Sequence, residues 1–172
     1  MSAPVAGMVQ TARDGVSATR DVLGLSAFVL LCFGVSILGG IAAASALPEW
    51  YASLEKPSWN PPGWVFGPVW TLLYPMIAVS GWLVWRDGRS RTAPLLFLLQ
   101  LSLNAVWPWL FFARRRPDWA FAAIVALAAA IVATIVVFRR TNRAAARLLV
   151  PYLVWVLFAG ALNLAIWRLN PL

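Results

Sequence analysis

Five predominantly apolar runs, each near the ~20 residues that a helix needs to cross a bilayer, alternate along the chain with polar gaps. They cover Val22 to Leu47, Gly67 to Trp85, Pro94 to Ala113, Trp119 to Phe138 and Leu148 to Trp167. The last three gaps are short and rich in arginine: residues 86–91, 114–118 and 139–147. In lipid every backbone polar group needs an internal partner, and a helix supplies it within one segment. The pattern therefore predicts an all-α integral membrane protein, a bundle of five transmembrane helices over residues 22–172. Residues 1–21, rich in Ala, Gly, Ser and Thr, read as a mobile or interfacial tail. A rival reading makes the first run a secretory signal peptide, cleaved near Ala44-Ser45-Ala46. The run is longer than the ~7–15 apolar residues of such signals, which favours a span.

The first gap is different in kind. From Trp50 to Tyr74 it carries Trp50, Trp59, Trp64 and Trp70, Tyr51 and Tyr74, four prolines, and Lys56, the only lysine of the chain. Prolines 57, 61 and 62 remove backbone donors and fix φ, so residues 48–63 cannot form one continuous helix. The expectation is a long ordered first loop folded over the mouth of the bundle. Tryptophan favours headgroup depth, which accounts for one or two of these rings. Four in one run predict an aromatic-lined lid or pocket as well.

Charge sharpens the picture. The chain is 62% hydrophobic and 12% charged, with a net charge of +8; ordinary soluble domains carry roughly a quarter charged residues. Because the arginines sit in short gaps between spans, membrane orientation explains the basic balance better than nucleic acid does. Arginines 13, 20, 86, 89, 91, 139, 140, 143 and 147 fall on one side, and Lys56, Arg114, Arg115, Arg116 and Arg168 on the other. The excess predicts a cytoplasmic N-terminus and an outward-facing first loop, against which the triple arginine stands. With no histidine and a single cysteine, Cys32, an intrachain disulfide and a Cys/His metal site are excluded, and the usual axial haem ligands are nearly absent.

No Asp, Glu, Lys or Arg falls within the five runs, which argues against a pump, an ion channel or a proton-coupled carrier. The polar groups at depth are the amides Gln100, Asn104 and Asn163. Interhelical hydrogen bonding is the plain reading of all three. Asn104 has a second, because Gln100, Asn104, Trp107 and Phe111 share one helical stripe. Trp70, Tyr74, Ala78 and Gly81 form a second stripe, and Tyr152, Trp155, Ala159 and Leu162 a third. Large side chains followed by small ones along a stripe leave room for a flat guest, although such stripes also serve plain packing. Prolines 68, 75, 108 and 151 open space near helix ends. Small residues that let helices approach closely, and so offer dimer faces, are Gly39, Gly40, Ala43 and Ala44, Ser102, and Ala122, Ala126 and Ala130.

WYASLEKPSWNPPGWVFGPVWTLLY (50–74), LSLNAVWPWLFFARRR (101–116) and ARLLVPYLVWVLFAGALNLAIWRLN (146–170) resemble the first-loop, third-helix and fifth-helix segments of the TspO/MBR family of tryptophan-rich sensory and translocator proteins. The resemblance implies five transmembrane helices, usually a homodimer, and a pocket beneath the first loop that takes porphyrins such as protoporphyrin IX. It further implies light- and oxygen-dependent porphyrin breakdown, with Trp70 and Trp155 as the residues that matter. Tyr51, Trp59, Asn104, Trp107 and Ala159 match the family's pocket lining. Tyr74 joins them as the neighbour of Trp70 on its stripe, and Lys56 is a candidate rim partner for the propionates of the ligand. The sterol motif of the animal members is broken, since Leu164 stands where tyrosine is expected, so no specific cholesterol recognition is predicted. Three functions stay open at this point: a tetrapyrrole-binding sensor or regulator, a carrier of porphyrin-like or lipid-like molecules, and a porphyrin-degrading membrane enzyme.

Overall fold

The computed structural model describes residues 3–44 and 47–171, with side chains from residue 18 onward except at 47 and 48. Helix α1 (Ala3–Ala44) is followed by a wide turn, Leu47–Tyr51, and by a single tight turn, Gly63–Val65. Next come α2 (Phe66–Asp87), α3 (Ala93–Pro108) and a second wide turn, Trp109–Ala113. The chain closes with α4 (Pro117–Thr141), α5 (Arg143–Leu148) and α6 (Val150–Leu169). Among the described residues five stretches are long and apolar enough to cross a membrane: Ala18–Ala44, Gly63–Asp87, Ala93–Ala113, Pro117–Thr141 and Arg143–Leu169. The protein is thus an all-α multi-pass membrane protein with five spans, as the hydrophobic pattern predicts.

Two boundaries differ from that pattern. The segment read as a tail is helical from Ala3 and continuous with the first span, while Ser45 and Ala46, within the expected end of that span, lie outside the described residues. The last span is built from two helices. Asn142 opens α5 by accepting a hydrogen bond from the Ala145 N–H at 3.0 Å, a capping use of a short polar side chain. Pro151, in the first turn of α6, has no N–H to return to the preceding turn, so the helix is interrupted there.

Local chemistry sets the other ends too. Gly88 closes α2 in the left-handed region at φ 61°, where a residue without Cβ is unstrained. After α3, the Arg114 N–H reaches back to the Trp109 carbonyl at 2.9 Å and the Arg116 N–H to that of Leu110 at 3.0 Å. This sharp stop places Arg115 at φ 53°, a conformation that favours glycine. Pro117 then starts α4.

The helices form a ring. Helix α1 packs on α2 and α3, α2 on α5, and α4 on α3 and α6. Leu73, Ile77, Phe97, Leu101, Leu127, Ile131 and Val156 fill the centre. At the end carrying the 88–92 loop the ring is tight. A Cβ added to Gly24 would come within 2.3 Å of the Trp85 ring, and one at Gly81 within 2.6 Å of Phe97 and 2.7 Å of Phe28. At the opposite end α1 and α2 part, and a Cβ at Gly40, Gly63 or Gly67 would meet nothing within 4 Å.

Candidate ligand cavity

The space between the parted helices is a cavity of about 470 Å³ under the 47–65 segment. Helix α1 contributes Ser36, Gly39, Gly40 and Ala43, and the start of the second span contributes Gly63, Phe66, Gly67, Trp70, Thr71 and Tyr74. From α3 and the turn after it come Asn104, Trp107, Pro108, Phe111 and Phe112. Ala159, Leu162, Asn163 and Ile166 of α6 close the far wall, and Tyr51 hangs from the roof. Among the described residues no charged side chain lines the cavity.

Its floor is a hydrogen-bonded layer. The Tyr74 hydroxyl donates to Asn104 Oδ1 at 2.8 Å, and Asn104 Nδ2 donates to the Tyr152 hydroxyl at 2.8 Å, so one amide ties α2, α3 and α6 together. The Trp70 ring stacks on Tyr74 with centroids 5.1 Å apart and meets Tyr152 edge-on at 6.2 Å. On the α3 side, Trp107 Nε1 donates to Asn163 Oδ1 at 3.0 Å, while Asn163 Nδ2 donates to the Pro117 carbonyl at 2.7 Å. The indole and both amides thereby find their hydrogen-bond partners within the protein. Phe111 stacks on Trp107 at 5.9 Å and extends that wall.

The roof is an internally bonded unit. The Tyr51 hydroxyl donates to Asn60 Oδ1 at 3.1 Å, and the Asn60 N–H donates to the Pro57 carbonyl at 2.9 Å. Burial pushes the Tyr51 hydroxyl above its usual pKa, and the bond to Asn60 opposes that shift. Trp50 meets Phe111 edge-on at 5.6 Å.

Six of the residues expected at the site from sequence are brought together in the wall: Tyr51, Trp70, Tyr74, Asn104, Trp107 and Ala159. The other three lie elsewhere. Trp155 does not line the space; its ring meets edge-on, at 5.6 Å, that of Phe66, which does. Trp59 is half exposed above α6, edge-on to Phe158 at 5.9 Å. The Lys56 ammonium turns back on its own loop, donating to the Leu54 carbonyl at 2.8 Å and the Ala52 carbonyl at 3.2 Å over the Tyr51 ring. It serves as a loop cap here, because the carbonyls at the end of a short turn are its nearest acceptors.

Other sequence readings divide in the same way. Trp64 is 74% exposed and points away from the cavity, as a ring of the membrane-interface belt would. Of the small residues offered as dimer faces, Gly39, Gly40 and Ala43 line the cavity, Gly40 being exposed as well, Ser102, Ala122 and Ala126 are exposed, and Ala130 is buried. Asn104 and Asn163 make their interhelical bonds, but neither amide atom of the fully buried Gln100 has a partner among the described residues. Of the lining residues that sequence reasoning missed, Gly63, Gly67 and Thr71 precede Tyr74 at helical spacing. That signal was present and unused.

Five spans around an aromatic cavity, roofed by a proline-rich loop, define a helical multi-pass membrane protein with a space between its helices. The model of the TspO/MBR family matches residues 28–168, and the chain belongs to that family. It is similar to the tryptophan-rich protein TspO of Archaeoglobus fulgidus, 40% identical over 152 residues, which cover 87% of this chain and 99% of that one. It is 43% identical to the translocator protein of Homo sapiens over 127 residues, 71% of this chain and 75% of the relative. Protein CrtK of Rhodobacter capsulatus is 33% identical over 153 residues, 87% of this chain and 96% of the relative.

Proposed function

We propose that this protein is a membrane sensor or regulator that binds a porphyrin in the roofed cavity, with slow light- and oxygen-dependent breakdown of the bound ring. The observation that carries the reading is the stacked pair Trp70 and Tyr74 beside Asn104, facing an uncharged space of about 470 Å³. A planar π-system gains most from such walls, about 0.5–1.5 kcal/mol per aromatic contact beyond the area buried. Relatives named for translocation, the human translocator protein, and for sensing, the tryptophan-rich sensory protein of Cereibacter sphaeroides, 37% identical over 122 residues, support a membrane role of this kind.

For the photochemical step this chain supplies an electron donor: the Trp70 indole, in direct reach of a guest. Light supplies the driving force and dioxygen the oxidant. Trp155 stands beside Phe66 and acts as a reserve donor one ring further out. The arginine excess further supports a cytoplasmic N-terminus and an outward roof, and the exposed small residues Ser102, Ala122 and Ala126 support a homodimer face.

Quenching of tryptophan fluorescence by protoporphyrin IX, first in darkness and then under light and air, tests the reading. Saturable dark quenching is expected, with loss of the porphyrin absorption band only in light. Trp70→Phe is expected to abolish that loss and Trp155→Phe to slow it, with binding retained in both. Absence of saturable quenching would sink the ligand assignment, while flux of porphyrin across liposomes would favour a carrier.

A further inference from the structure

The roof is hydrogen-bonded to the end of α6 through a side chain that the sequence pattern does not mark. Asn170 follows α6 directly, 115 residues from Glu55. Its Oδ1 accepts from the Glu55 N–H at 3.0 Å, and its Nδ2 donates to the Glu55 carbonyl at 2.9 Å and to the Ile166 carbonyl at 2.8 Å. One amide therefore pairs with both backbone groups of a roof residue, as a neighbouring strand would, while anchored to the turn that carries Ile166 in the cavity wall.

We propose that Asn170 is the latch of the roof, a positioning residue that sets how fast the cavity opens to its guest. The ligand is the flat one assigned above, and the kinetic part of the proposal rests on that reading. The roof between Tyr51 and Asn60 holds itself together through the Tyr51–Asn60 bond and the Lys56 caps. At one end it leans on the α3 side through Tyr51, 6.2 Å from Phe111 and 5.7 Å from Phe112. On the α6 side it is held by the Asn170 pair, by the edge contact of Trp59 on Phe158, and by Leu54, which packs on the cluster of Phe111, Ala120, Leu162 and Ile166. A stiff plate with an aromatic hinge on one side opens on the other by parting the two bonds to Asn170, the directional part of its hold there, and by sliding off the apolar contacts of Leu54 and Trp59. Both bonds to Glu55 are exposed and compete with water, so their net strength is modest. That suits a catch that yields on each opening.

Breaking the latch speeds passage in both directions, because arrival and departure go through the same open state. A residue that merely supported the bound state would alter departure alone. The tests use the full chain in lipid nanodiscs. In the ligand-free protein, Asn170→Ala is expected to remove the hydrogen-exchange protection of the Glu55 amide and to speed exchange across residues 51–60. In stopped-flow quenching by protoporphyrin IX, the association and dissociation rates should each rise about ten-fold, as loss of a modest bond pair implies. Affinity should then change by less than about three-fold, because both rates move together.

A second variant carries Glu55→Cys and Asn170→Cys in a Cys32→Ser background and is closed with a short thiol-bridging reagent. Bridging is expected to slow both rates. Unchanged protection in Asn170→Ala, a rise in dissociation alone, or rates indifferent to bridging would each overturn the latch. If protoporphyrin IX does not bind at all, the ligand reading fails, and the exchange measurement still decides the latch by itself.

Discussion

Asn104 donates a hydrogen bond from Nδ2 to the hydroxyl of Tyr152 at 2.8 Å, across the boundary between α3 and α6, and Tyr152 is wholly buried. The pair is the keystone of the cavity floor, since Asn104 also accepts from Tyr74. Asn104→Leu would strand the Tyr152 hydroxyl without a partner, and the expected loss is about 1–3 kcal/mol of stability. Tyr152→Phe should cost less, and the double variant Asn104→Leu/Tyr152→Phe less than the sum of the two. Thermal unfolding of the four proteins in one detergent measures the coupling.

The glycines of α1 should answer differently to the same kind of change. Gly24→Ala drives a methyl group into the Trp85 ring, where a Cβ would sit only 2.3 Å away, and about 1–3 kcal/mol of overpacking cost is expected. Gly40→Leu points into open cavity space. It should leave the melting temperature nearly unchanged while abolishing saturable porphyrin quenching. Equal destabilisation by both variants would contradict the parting of α1 and α2.

An uncharged wall sets a preference among guests. Burying an unpaired carboxylate costs several kcal/mol or forces it to take up a proton. Lys56, the nearest cation in the roof sequence, is engaged with carbonyls of its own loop. The dimethyl ester of protoporphyrin IX is therefore expected to bind at least as tightly as the free acid. Lys56→Met should slacken the loop, seen as faster hydrogen exchange at residues 52–56, without selectively weakening the acid form. Titration of both compounds against the protein and this variant checks both points.

Binding of that ester should also be flat between about pH 6 and about pH 9, because no group in the wall ionises there. The chain has no histidine, and burial holds the Tyr51 hydroxyl above its usual value of 10.0. The sign follows from linkage. With the folded pKa raised, the contribution of the neutral hydroxyl is whole below the unfolded pKa of about 10 and is lost as pH climbs through the folded one. Alkaline titration followed at the tyrosinate absorption band should place Tyr51 later than free tyrosine, and Tyr51→Phe should remove that component.

The five spans were legible because their apolar runs are long enough to admit no other structure in lipid. Much of the cavity was legible too. Trp70 and Tyr74 lie one turn apart, and Asn104 shares a stripe with Trp107, so helical spacing alone puts them on common faces. What spacing leaves open is depth and rotation. Trp155 belongs to the stripe of Ala159 but turns towards Phe66, a contact between helices that no local pattern encodes. Gly39, Gly40 and Ala43 read equally well as a close helix contact or as an empty wall, since both need small side chains. Trp59 and Lys56 sit in a loop whose course depends on three-dimensional acceptors. Asn170 was invisible because its partner lies 115 residues away.

The sealed end of the bundle, where Gly24 meets Trp85 and Gly81 is wedged between Phe28 and Phe97, has a consequence for variation. That end acts as the base of a vase. It holds the helices in register at that end by close packing, while the opening relies on the hydrogen bonds of Asn104 and Asn163. Enlarging a residue at the base would crack the vessel, whereas at the mouth only changes that spare those bonds would merely reshape it.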